Sequence, residues 1–157
     1  MKTIKRIAIL FCCCMLAFVF TACGSSGSKP TENNELAQFA GEYSFFCSDI
    51  MGYHVQIEEL EGTTTTLKED GTGYLDWGED NKGPISEWTV DDAEAGKITI
   101  KAGVATMEGT IVDGVLSIGM TDIITSVYAL DGADTSGIQL MTPDELPADI
   151  VEDLLSE

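Results

Sequence analysis

Arginine occurs once in this chain, at Arg6, and histidine once, at His54. The 157 residues carry 8 Lys and Arg against 27 Asp and Glu, for a formal net charge of -19. So few cations cannot replace the counterions on nucleic-acid phosphates, which excludes nucleic acid as a partner. The same scarcity leaves no basic patch to dock on anionic lipid headgroups. A single histidine without Cys or His at ligand spacing cannot build an ordinary zinc site, so neither a metal nor a cofactor is expected. Long hydrophobic runs are also scarce. The one from Ile7 to Phe20 is shorter than the ~20 residues a spanning helix requires. There is no glycine-rich phosphate loop and no Gly-x-Ser-x-Gly nucleophile motif.

The apolar run has informative flanks. Lys2, Lys5 and Arg6 precede it, and Phe20-Thr21-Ala22-Cys23 closes it. Small Thr21 and Ala22 suit a peptidase pocket just before a cut. The pattern resembles a bacterial lipoprotein signal ending in a lipobox, with Phe20 where Leu is commonest. The resemblance implies removal of residues 1–22 and a palmitate-type lipid anchor on the sulfur of Cys23. It also implies residence at the cell membrane, on its extracytoplasmic face, held by that lipid. Gly24-Ser25-Ser26-Gly27-Ser28-Lys29-Pro30 would begin a flexible tether over 23–34. The alternative is an ordinary secretory signal cut near Ala22, which leaves a soluble protein with a free thiol.

Cleavage at that point removes three of the eight cations and no acid, so the mature charge is about -22. Such acidity serves solubility and self-repulsion, with cation binding as the sharper alternative. Cys12, Cys13 and Cys14 leave with the leader, and lipidation occupies Cys23. Cys47 then has no intrachain partner, so the domain must be held by its core rather than by disulfides.

From residue 35 the pattern is mostly one of period two. Glu35 to Phe39 predicts one turn of helix after Asn33 and Asn34, ended by Gly41. Tyr43, Phe45 and Cys47 then fall on one face of a strand, with Ser44, Phe46 and Ser48 on the other. Residues 49–62 stay open between strand and helix. Further strands are expected over 63–68, 73–77, 85–90, 97–101, 105–112, 115–119 and 123–130. Asp70-Gly71 marks one hairpin. Asp113-Gly114 marks the sharpest one, because a two-residue type I′ turn needs positive φ at both positions. About eight strands at this spacing predict an all-β fold, an antiparallel meander or small barrel. Residues 132–157 are expected to form a linker followed by an acidic amphipathic helix. Thr142-Pro143-Asp144-Glu145 is a capping box, Pro147 restarts the helix, and Leu146, Ile150, Val151, Leu154 and Leu155 form an apolar stripe. That stripe is expected to pack on the domain.

The opening Gly41-Glu42-Tyr43, after a helical turn and before a hairpin meander, is similar to lipocalin-like domains. Small bacterial lipoproteins also show hairpins like those at Thr66–Gly73 and Val112–Leu116. The resemblance covers roughly residues 35–131. Tyr43 stands where that family usually has Trp, and no Arg is left to pack across it. A lipocalin-like fold implies a barrel that could receive a small apolar ligand.

Candidate site residues are sparse. Phe45, Tyr74, Trp77 and Trp88, with Phe46, could line a barrel mouth or simply fill a core. Asp76 to Glu87 carries acids at positions 1, 5 and 12 of an EF-hand-like loop but lacks its glycine and its flanking helices, so a solvated hairpin loop is expected. Cys47 with His54 could form a thiol nucleophile and base, but a buried Cys47 is the expectation. No nucleophile, base and acid come together in the sequence, so no enzyme is expected. The chain reads as a non-catalytic extracytoplasmic lipoprotein that binds a small apolar ligand or an envelope protein. The alternative is a structural or accessory envelope lipoprotein with a filled barrel, acting through protein contacts.

Overall fold

The computed structural model describes residues 33–78 and 81–156. The proposed leader, Cys23 and nearly all of the tether lie outside the described residues, as do Glu79 and Asp80 of the acidic loop. Helix α1 (Asn33–Ala37) leads into ten strands: β1 (Gly41–Ile50), β2 (Tyr53–Val55), β3 (Thr64–Leu67), β4 (Gly73–Asp76), β5 (Lys82–Asp92), β6 (Lys97–Ala102), β7 (Ala105–Val112), β8 (Val115–Gly119), β9 (Ile124–Ala129) and β10 (Leu140–Met141). Helix α2 (Ala148–Ser156) ends the chain.

Eight strands form the barrel. The antiparallel meander runs β1-β3-β4-β5-β6-β7-β8-β9, and β9 returns to pair with β1, which removes both sheet edges. The all-β, small-barrel expectation is met. At the tightest turn Asp113 and Gly114 have φ of 51° and 79°, as the two-residue hairpin requires. Gly73 is needed for a different reason: a Cβ there would collide with the Thr66 carbonyl of the neighbouring strand.

The segment left open at 49–62 resolves into a second tight hairpin. Met51 and Gly52 have φ of 53° and 88°, and Gly52 N–H donates to Asp49 Oδ1 at 2.7 Å. Strand β2 follows, then a 3-10 turn over Glu58–Leu60. β2 pairs with the second half of β1, beyond the point where β3 stops. β10 adds to β2 in parallel, so the stretch after 131 is more than a linker.

One expectation fails at β1. Tyr128 lies opposite Phe45, but its neighbour Val127 lies opposite Cys47. Phe46 is therefore an extra residue in a β-bulge, and it reverses the inside–outside alternation beyond it. Tyr43 and Phe45 face the core before the bulge; Ser48 and Ile50 do so after it. Cys47 moves to the outer face with Val127, not to the face of Tyr43 and Phe45.

Two apolar clusters hold the molecule together. The larger fills the barrel with Tyr43, Leu67, Leu75, Trp77, Ile85, Trp88, Ile98, Ile100, Ala102, Ile111, Leu116, Ile118 and Tyr128, and Leu36 and Phe39 pack against it around α1. The smaller joins Ile50 and Ile124 to Val55, Ile57, Leu146, Ile150 and Leu154. Phe45 and Met120 pack against both. The C-terminal stripe is thus docked, as its spacing predicts, while the side chain of Leu155 lies outside the described residues. The capping box is present but closes a 3-10 turn over Pro143–Glu145 rather than the helix itself. The backbone N–H and Oγ1 of Thr142 donate to Glu145 Oε2 at 2.7 and 3.0 Å, which holds the Glu145 carboxyl below its usual range.

Candidate functional site

The barrel interior is where a lipocalin-like domain would hold a ligand, and apolar side chains occupy it. Trp88 is 1% exposed, and its Nε1–H donates to the Lys68 carbonyl at 2.8 Å. Trp77 stacks on Tyr128 with centroids 6.0 Å apart and planes 17° apart, and Phe45 meets the same ring edge-on at 5.7 Å. Three of the four candidate aromatics are therefore interior groups packed on one another or on the core. Tyr74 is not. Alternation in β4 turns Leu75 inward and Tyr74 outward, opposite Thr66 and Pro84, where it is 44% exposed. It neither lines the interior nor fills it.

The cleft beside Leu75, Trp77, Pro84 and Ala102 offers about 10 Å³, room for one water at most. Ligand pockets ordinarily offer some 300–1,000 Å³. Two larger depressions lie elsewhere. One, of about 630 Å³, lies between Glu35 and Leu36 of α1, Asp70, Gly71 and Thr72 before β4, and Ser86 to Val90 of β5. The other, of about 470 Å³, runs over Asp91, Lys97, Glu108, Thr110, Ser117 and Thr125 on the outer surface of the sheet.

A group of hydroxyls interrupts the apolar interior. Thr63, Thr65, Ser48 and Ser126 are all buried. Trp77 Nε1–H donates to Thr65 Oγ1 at 2.9 Å, and Thr63 Oγ1 donates to the Leu60 carbonyl at 2.8 Å. Burial pushes the Tyr128 hydroxyl pKa up, and Ser126, Thr63 and Thr65 around it oppose that shift. Ser126 is near enough to influence that proton, yet its Oγ meets no partner at hydrogen-bond geometry, and neither does Ser48 Oγ. Ser126 is thus a neighbour of the Tyr128 hydroxyl and not its bonded partner. An unpaired buried hydroxyl costs about 1–3 kcal/mol, so this pair is a feature the fold must accommodate. Sequence reasoning missed both Tyr128 and the hydroxyls. The alternation of Ile124, Ser126 and Tyr128 was a usable signal, but Ser48 was hidden by the bulge.

Cys47, Asp49 and His54 come to one outer face. His54 lies directly opposite Asp49, with Nε2 3.8 Å from Oδ2. Cys47 itself is 0% exposed, and burial first, then the Asp49 charge, pushes its thiol up to about 12. That is the reverse of what activates a thiol nucleophile. Native protein at pH 8 should therefore leave Cys47 unlabelled by a thiol reagent that reacts fully after denaturation, and rapid native labelling would contradict the burial. The sign for stability follows. The folded thiol keeps its proton to about 12, whereas the unfolded one loses it near 9.0. Its contribution is therefore complete below pH 9 and is lost as pH rises toward 12. Tyr43, raised by burial from 10.0 to about 12, acts in the same direction.

Of the acidic loop, Asp76 and Glu87 are among the described residues. Asp76 is engaged by Lys82 Nζ at 3.0 Å, and Glu87 by Lys101 across the sheet. Among the described residues no three His, Cys, Asp or Glu side chains converge. The chain has no significant match to any protein-family model, curated protein or solved structure.

Proposed function

We propose that this protein is a membrane-anchored extracytoplasmic lipoprotein whose barrel is non-catalytic and acts through its outer surface on an envelope protein. The filled interior carries this reading. With Trp88, Tyr43 and the Trp77–Tyr128 stack inside, and about 10 Å³ at the apolar cleft, a small apolar ligand would have to displace core side chains. The Phe20-Thr21-Ala22-Cys23 box supports the anchor, and the tether over 23–34 would set the barrel off the membrane. Five lysines against 27 acids in the mature chain favour a partner surface that is neutral or basic. No helix among the described residues is long and apolar enough to cross a membrane. The reading is tested by the native mass of the protein extracted from its own membrane, which should show the Cys23 lipid and no small-molecule passenger.

A further inference from the structure

We infer that Ser48 and Ser126 form an internal binding site for one neutral, water-sized ligand, a water molecule that bridges β1 and β9 where the barrel closes. The two residues are directly opposite each other in the β1–β9 ladder, and both face inward. They are 0% and 1% exposed, and neither Oγ has a hydrogen-bond partner. Buried hydroxyls are nearly always paired, and residues directly opposite in an antiparallel ladder hold their Cβ atoms about 4.5–5.5 Å apart, within reach of one shared molecule. The Tyr128 hydroxyl, beside Ser126, is a third polar group within the same surroundings. A buried water makes about three hydrogen bonds, which these groups can supply.

The chemistry of the surroundings selects the ligand. Among the described residues every buried polar one is Ser or Thr, so none of them neutralises an ion of either sign. Ile118, a core residue, lies opposite Ser126 in the β8–β9 ladder, so an apolar group flanks the pair. The bulge creates the site: if Phe46 took an ordinary place in the ladder, alternation would point Cys47 inward instead of Ser48. The bridging water thus links the bulged strand to its closing partner.

Oxygen-17 relaxation dispersion on the wild-type chain, Ser126→Ala, and Ser48→Ala with Ser126→Ala tests this, with Cys47→Ser as an outer-face control. The wild type should show a long-lived internal water whose amplitude falls by the equivalent of one molecule in the double variant and persists in Cys47→Ser. A water nuclear Overhauser effect at the Ser126 amide of the wild type gives the same answer without any substitution, should the double variant fail to fold. An unchanged amplitude in a folded double variant would overturn the site. So would a wild type without the long-lived water and without that Overhauser effect, with the two hydroxyls bonded directly to each other.

Discussion

Trp88→Ala should remove about 3–5 kcal/mol of stability, the range for emptying a large aromatic from a packed core. The indole is 1% exposed, and the substitution also strands the Lys68 carbonyl that accepts its Nε1–H. Single domains are stable by about 5–15 kcal/mol, so this is a large share of the total. Thermal unfolding followed by circular dichroism should show a melting temperature lower by more than about 10 °C. Tyr74→Ala is the control. That ring is 44% exposed on the outer face, and its loss should fall within the small range of surface substitutions. If Trp88→Ala behaves like Tyr74→Ala, the indole lines free space rather than filling the barrel, and ligand binding inside becomes the better reading.

Cys23→Ser should abolish membrane anchoring altogether. The thiol is the acceptor of the proposed lipid, and serine supplies no sulfur for the thioether. Metabolic labelling with a radioactive fatty acid should therefore vanish, and the chain should move to the aqueous phase in detergent partitioning or accumulate with its leader attached. With five lysines and a charge of about -22 the mature chain has no electrostatic route to an anionic bilayer. A Cys23→Ser protein that still incorporates the fatty acid, or that has lost its leader and still partitions into detergent, would reject the anchor.

Much of the fold was legible because its turns carry their own chemistry. Asp113-Gly114 announced β7 and β8 through the positive φ both residues adopt, and the Thr142–Glu145 box marked where the chain turns before α2. The stripe of Leu146, Ile150 and Leu154 announced a buried face and found one. What stayed hidden depends on pairing. A bulge is a relation between two strands, and Phe46 looks like any other strand residue until Tyr128 and Val127 are set opposite it. That one insertion misplaced Cys47 and concealed Ser48. β2 and β10, of three and two residues, are too short to show a period; β2 pairs with β1 on the side that β3 leaves open beyond Ser44, and β10 adds to β2. The outward turn of Tyr74 was available from its alternation with Leu75, but an aromatic beside a tryptophan-bearing segment suggested the interior.

The most direct test of an anchored barrel with a filled interior is a native mass spectrum of the protein extracted from its own membrane in mild detergent. The account predicts a chain that begins at Cys23, carries one covalent lipid modification and holds no further small molecule when the detergent is stripped. A spectrum showing a stoichiometric apolar passenger released only on unfolding, or an unmodified chain beginning at another residue, would contradict it.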